Sequence, residues 1–357
     1  MTNISNRVII NLQNKCKEII IEMQYSNIII KSVETYHPEN KVTNENIISH
    51  FNKQNIEIEG LLNHLGRNVR YRTNDNENSI TMGVDVANKL FQQSKINPDD
   101  IGLLYFVSDT PQFLVPTSSL VLHNLIGLKN AHITKDLNAN CIGMLTALDD
   151  AQSFMRYKNI KYGLVIGSVN LSSISREDDT VAYGTFGDGA CVVLLENVKS
   201  DKEFGFIGSN YFTDSSLYDK IQYPICGLSN LAKEDISPDN KKLRFIPHDV
   251  SFFSDKWKQL ILDMLFVNNI NVNSIDHFLF SQFSKAEIQE TLDKLEVSFD
   301  KTTFVADKYG YTGCTSPIFA YKVAIDNNQI KPNEYNIFCS VGAGYNMCSL
   351  LYKNEEV

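Results

Sequence analysis

Seven cysteines, at positions 16, 141, 191, 226, 314, 339 and 348, are the first side chains to ask for chemistry. No two form a Cys-x-x-Cys pair and the total is odd, so neither a zinc site nor a disulfide framework is indicated. Free thiols in a reducing, cytoplasmic compartment are the expectation. Cys191, Cys226, Cys339 and Cys348 each lie in or beside an apolar run and read as inert thiols. Cys141 stands elsewhere, after a strand-like stretch from Ile133 to Asn140 and just before a helical one. A thiol at such a turn meets the positive end of a helix dipole and free backbone N–H groups, which favour its thiolate. The same N–H groups suit the oxyanion that develops when a thioester is attacked. This is where an acyl-accepting nucleophile would be placed, although a buried thiol is the commoner fate of a lone cysteine.

A proton acceptor for that thiol is harder to find. His248 precedes Asp249 in a polar loop and is the most interesting of the seven histidines, with a solvated loop residue as its plainer reading. His123 and His132 flank the nucleophile segment, where helix and strand surfaces explain them. His37, His50 and His277 carry no argument beyond their residue type.

The elements that must position Cys141 belong to an ordinary globular chain of 357 residues, 43% hydrophobic and 21% charged. Its 33 basic and 42 acidic residues give a net charge of −9 with no basic block, so no nucleic-acid footprint is expected. No window approaches the roughly 18 apolar residues of a membrane span. The stretch from Met1 to Lys31 is punctuated by Asn, Arg, Lys and Glu and does not read as a signal peptide. Residues 1–26 look like an extension with an amphipathic helix through Leu12, Cys16, Ile19, Ile20 and Met23. Beyond it, apolar runs of five to eight residues alternate with helix-like segments, which indicates an α/β fold.

That α/β chain repeats itself. Lys95 to Asp109 resembles Asn268 to Gln282: an Asn-containing turn, an Asp, then a buried strand ending in a polar pair. About 32 residues after Asp109 comes Asn140-Cys141-Ile142-Gly143, and about 32 after Gln282 comes Thr312-Gly313-Cys314-Thr315. Each turn precedes a helix, Met144 to Arg156 and Pro317 to Asn327, and each helix a strand running into glycine. Two similar halves, residues 27–200 and 201–357, are the expected organisation.

The segment Asp136 to Phe154, with Cys141 in it, resembles the nucleophile segment of the β-ketoacyl-acyl-carrier-protein synthase III family, of the thiolase superfamily. Thr110-Pro111 followed by Val115-Pro116, and Leu125 to Lys129, resemble the family's approach to the nucleophile. Phe186-Gly187-Asp188-Gly189-Ala190 resembles its motif at the end of the first half, and Lys308-Tyr309-Gly310 and Val341-Gly342-Ala343-Gly344 its second-half glycine turns. The resemblance spans about residues 27–352 and implies a five-layered thiolase fold of two pseudo-symmetric halves. It also implies a homodimer or a heterodimer with a homologue, joined through a strand after the nucleophile helix such as Tyr162 to Ser168.

The family pattern also implies partners for Cys141, and here this chain departs. The histidine and asparagine that assist decarboxylation in the family fall on Ser281 and Tyr311, with Gln282 one residue away. These side chains donate hydrogen bonds, but none titrates near neutrality. Ala343 and Cys141 are the implied backbone donors of an oxyanion hole, and Val115, Phe186 and Gly344 the implied walls of the acyl pocket. The turn that meets coenzyme A in the family is matched by Gly66 and Arg70, but about Gly60 and His64 stand where a tryptophan and an arginine are implied, and Trp257 is far away. No bound cofactor is expected, and an acyl-carrier-protein thioester is favoured over a coenzyme A thioester as donor. Lys285 or Arg67 would meet an acidic carrier helix, or simply be solvated surface charge. The retained cysteine with the lost pair predicts an acyltransferase; a non-standard carbon–carbon condensing enzyme and a non-catalytic partner subunit are the alternatives.

Overall fold

The computed structural model describes residues 7–10, 19–22 and 24–356. Two short strands, Arg7–Ile10 and Ile19–Glu22, pair antiparallel ahead of the main body. The helix expected over this stretch is therefore corrected at Ile19 and Ile20, where three consecutive β-branched isoleucines favour extended backbone. Leu12, Cys16 and Met23 lie outside the described residues.

The first half is built from β1 (Tyr25–Tyr36), α1 (Ser79–Ser94), β2 (Ile101–Val107), α2 (Ser118–Ile126), β3 (Ile133–Leu137), α3 (Gly143–Lys158), β4 (Tyr162–Val169) and β5 (Gly189–Ser200). Its sheet runs β1-β5-β4-β2-β3, antiparallel across the first three strands and parallel across the last three. The second half comprises β6 (Gly205–Thr213), α4 (Phe253–Val267), β7 (His277–Phe280), α5 (Lys285–Lys294), α6 (Ser316–Asp326), β8 (Tyr335–Gly342) and β9 (Asn346–Lys353). Its sheet runs β6-β9-β8-β7 with the same sequence of senses. Where β3 closes the first sheet, the second has a single parallel bridge between Phe278 and Thr302. The repeat seen in sequence is thus a repeat of topology, cut one strand short.

Strand periodicity explains the layers. Leu103, Tyr105 and Val107 of β2 face a central core with Met144, Leu148 and Ala151 of α3 and Ile318 and Phe319 of α6, while Ile101, Leu104 and Phe106 face α1 and α2. In the second sheet Phe338 joins the central core, and Ile337 and Cys339 turn to the outer core with Trp257, Ile261 and Ile288 of α4 and α5. Helices, sheet, helices, sheet and helices follow one another: the five layers of the thiolase fold. α3 and α6 fill the middle layer, so the start of each is held between the sheets.

The strand from Tyr162 to Ser168, expected at a dimer interface, lies inside its sheet, bonded to β2 on one side and β5 on the other. It has no edge to offer a partner. The sheet's edges are β1 and β3, and it is β3 that lies beside exposed Phe113, Leu114, Val115 and Leu120.

Candidate active site

Cys141 lies in the link between β3 and α3, and the second half clamps that link. Asn140 takes a left-handed backbone (φ 52°), and Gly143 N–H closes the turn on the Asn140 carbonyl at 2.9 Å. The Asn140 amide donates to the Ala343 carbonyl at 3.1 Å, and Ser340 Oγ donates to the Cys141 carbonyl at 3.0 Å. A Cβ on Gly143 would stand 2.7 Å from Val107, so only glycine lets α3 start this close to β2. The sulfur is left at the base of a cavity between the halves, walled by Phe186, Leu171, Ile174, Tyr223, Leu243, Phe245, Phe253, Phe283 and Tyr345.

Tyr311 reaches the same cavity through a crossing of two glycine turns. Gly187 N–H donates to the Tyr311 carbonyl, and Tyr311 N–H to the Thr185 carbonyl, each at 3.0 Å. Gly310 has φ 71°, and a Cβ there would meet Arg70 Cβ at 2.6 Å, so the motif glycines allow one half to thread against the other. Asp188, between them and buried, accepts from the N–H groups of Thr73 and Ser172 at 2.8 Å each and ties the crossing to the first half. Phe186 and Phe283 pack on the Tyr311 ring at centroid distances of 5.7 and 5.4 Å.

The residues aligned with the missing pair do come together. Ser281 Oγ and the Tyr311 hydroxyl are 3.1 Å apart and hydrogen-bonded. Tyr311 lines the cavity, whereas Ser281 is sealed behind it. Gln282 is corrected: its amide donates to the Phe280 and Thr303 carbonyls at 2.8 and 3.3 Å and accepts from Val305 N–H at 2.8 Å, away from the cavity. It is a fully bonded core residue with nothing left for a substrate. Gly344 is also corrected, since Gly342, Ala343 and Tyr345 line the cavity and Gly344 does not. Val115 lies outside the cavity and is 89% exposed.

The Cys141 thiol is not the ready thiolate that its place before a helix suggests. Burial, reinforced by the charge of Asp109, pushes it up to about 12. The Tyr311 hydroxyl and the N–H groups of Ala343 and Cys141 pull the other way and are outweighed. Those two N–H groups are where the sequence places an oxyanion hole. A nucleophilic role for Cys141 would therefore require removal of its proton as it attacks.

Two residues at this cavity went unremarked in the sequence. Asp109, at the end of β2, is the one charged side chain among the described residues that line it; burial pushes its carboxyl up to about 6, and its Oδ1 is sealed without a hydrogen-bond partner. Its signal was its place as the last residue of the repeated strand. Tyr345 follows the last glycine motif and bonds His248 Nε2, while His248 Nδ1 faces the Ile246 carbonyl at 2.6 Å. Nδ1 therefore carries the proton and Nε2 accepts the Tyr345 hydroxyl. His248 stands behind Tyr345 and does not line the cavity. His277 is buried against Thr303 and pushed down to about 4 by desolvation.

At the implied coenzyme end, Arg67 is corrected from surface charge to buried strut. Its guanidinium donates to the Leu65, Gln282 and Phe283 carbonyls. Trp257 is wholly buried in the outer core of the second half, so it offers no stacking face. Lys285 remains exposed at the start of α5.

A thiol at the start of the middle-layer helix, in a cavity closed by both halves, is the arrangement of a thiolase-fold acyl-handling protein. Residues 135–215 match the family described as 3-oxoacyl-[acyl-carrier-protein] synthase III, and residues 265–354 match its C-terminal counterpart. A β-ketoacyl-[acyl-carrier-protein] synthase III of Aliarcobacter butzleri is 27% identical over 81% of this chain and 87% of its own. The crystal structure of 3-oxoacyl-[acyl-carrier-protein] synthase III from Aquifex aeolicus superposes with a TM-score of 0.79 at 21% identity, covering 92% of this chain and all of that one. A priming β-ketosynthase of a polyketide biosynthetic pathway superposes with a TM-score of 0.81 at 18% identity, covering 93% and 97%. By these matches the chain is a β-ketoacyl-acyl-carrier-protein synthase III-like protein of thiolase fold.

Proposed function

We propose that this protein is an acyltransferase of fatty-acid or polyketide-type metabolism. Cys141 accepts an acyl group from a carrier-protein thioester and passes it to the oxygen or nitrogen of an acceptor. The observation that carries the reading is the pairing of a retained cavity thiol with a changed decarboxylation apparatus: Cys141 faces the N–H of Ala343, while Ser281 and Tyr311 bond each other. Removing one oxyanion donor typically costs about 100–1,000-fold in rate, so a site without the family's pair is poorly placed for decarboxylative condensation. Acyl exchange needs only the thiol, a base and the oxyanion hole.

Relatives named for acyl-carrier-protein substrates support the donor class. A carrier protein is favoured over free coenzyme A because Trp257 and Arg67 are both enclosed. The unpaired edge of β3, with Val115 at 89% exposure beside it, is the surface through which a second copy or a homologue would dock.

Intact-protein mass measurement after incubation with acyl-carrier-protein and acyl-coenzyme A thioesters tests this. An acyl mass should appear on the full chain and be absent from Cys141→Ala. Turnover of malonyl-carrier protein with release of carbon dioxide would replace this function by condensation. No adduct with any donor would make the chain a non-catalytic partner subunit.

A further inference from the structure

We propose that Asp109 is a catalytic base of this site, taking the proton of the acceptor as it attacks acyl-Cys141 and returning it to the departing sulfur. The inference rests on the acyl-transfer reading and adds the group that reading lacks. Among the described residues lining the cavity, every other polar side chain is unsuited. Asn138 and Asn140 have amides that take no proton, and Tyr223, Tyr311 and Tyr345 are pushed up by burial. His248 Nε2 is engaged by Tyr345 and stands outside the cavity.

Asp109 has the opposite character. It lines the cavity beside Cys141, and its Oδ1 is sealed from solvent and has no hydrogen-bond partner, so it is free to take a proton. Its charge acts on Cys141, Tyr311 and Cys314, all neutral at neutral pH, so no cation holds the carboxylate in a structural ion pair. A buried carboxyl raised to about 6 is ionised at neutral pH and still basic enough to accept a proton from a group under attack.

The pair also explains how so reluctant a thiol reacts. Ionised Asp109 opposes a thiolate at Cys141, so the resting site holds carboxylate and thiol. In acylation the thiol proton moves to Asp109 as sulfur bonds the donor carbonyl carbon. The oxyanion rests on the N–H groups of Cys141 and Ala343, the bond to the carrier sulfur breaks, and that sulfur leaves with the proton from Asp109. In transfer, Asp109 takes the acceptor's proton as its oxygen or nitrogen bonds the acyl carbon. The bond to Cys141 breaks and the sulfur recovers the proton. One proton and one negative charge are passed back and forth, and nothing is oxidised or reduced.

The test separates loading from release. Wild-type and Asp109→Asn full chains are incubated with acyl-carrier-protein thioester and freed of donor, and decay of the acyl mass is followed across neutral pH with water as acceptor. The wild-type rate should rise as pH increases through about 6, as the carboxylate forms. In Asp109→Asn that rise should be absent and decay about 100-fold slower or more, and Asp109→Glu should restore the rise. An adduct on both proteins that decays alike overturns the inference and leaves the acyl-transfer function standing. No adduct on either overturns both. If Asp109→Asn does not fold, the wild-type profile decides, and a rate flat through that region overturns the role of Asp109.

Discussion

The two halves of this protein carry the same strand, turn and helix and use them oppositely. Thirty-two residues separate Asp109 from Cys141 in the first half, and thirty-two separate Gln282 from Cys314 in the second. Asp109 follows the fourth strand of its five-stranded sheet and Gln282 the fourth and last strand of its four-stranded one, topologically equivalent places, and both cysteines precede a middle-layer helix. In the first half the carboxyl keeps one oxygen, Oδ1, without a partner and the thiol opens on a cavity. In the second the amide is saturated by three backbone groups and the thiol is 1% exposed. A repeated unit thus supplies a cavity-facing pair once and a packing pair once, and side-chain satisfaction marks which is which.

The largest effect expected from disturbing this contrast is on the saturated side. Gln282→Ala removes both ends of an amide that bridges Phe280, Thr303 and Val305 in the core. Orphaned buried carbonyl and N–H groups should cost about 3 kcal/mol of stability, read as a fall in the urea midpoint. A loss under about 1 kcal/mol would mean that water or neighbours replace the amide, and the contrast between the halves would weaken.

On the reactive side the sign reverses. Burial raises the Asp109 carboxyl from 3.8 to about 6, so the folded chain holds this proton more tightly than the unfolded chain. Its ionisation therefore lowers stability as pH rises from about 4 through 6, and below that window the penalty vanishes. Asp109→Asn should be more stable than wild type at neutral pH by about 2 kcal/mol, discounted because the residue keeps some access to the cavity. At acid pH the two should unfold alike. A variant no more stable at neutral pH would show the carboxylate to be solvated, and would remove the physical reason for its basicity.

Much of this arrangement was legible in the chain, for definite reasons. The repeat, the strand leading to Cys141 and the glycine motifs are local signals, and Gly187 and Gly310 are glycines because two backbones cross there. The position of Ser281 beside Tyr311 followed from family spacing, and the two are bonded. What escaped was set by tertiary burial. Nothing local distinguishes the free carboxylate of Asp109 from the bonded amide of Gln282, and the sealed surroundings of Arg67 come from loops of both halves. The N–H groups expected at Cys141 do favour its thiolate, but by less than desolvation opposes it, which only the packed cavity reveals. The edge strand was misplaced for a related reason. Strand order in a sheet follows from crossovers between distant segments, so Tyr162 to Ser168 read as well at an edge as at the centre.

The smallest effect tests whether the second turn is inert. Cys314 sits where pseudo-symmetry puts the counterpart of Cys141, and a Cβ on Gly143 would lie 3.6 Å from its own Cβ, so the two turns pack against each other. Burial drives its thiol well above the ordinary range, and the charge of Asp109 adds to that, so it has no route to a thiolate. Cys314→Ala should cost about 1 kcal/mol from the small void left by the sulfur, while the rate of acyl loading stays at the wild-type value. Peptide mapping of acylated Cys141→Ala provides the converse measurement, and an acyl group on Cys314 there would show that both halves keep a working thiol. Without one, the division of labour lies in packing: the second turn is closed by the core it stabilises, and the first is left open because Asp109 and the halves' shared cavity replace core atoms at its sulfur.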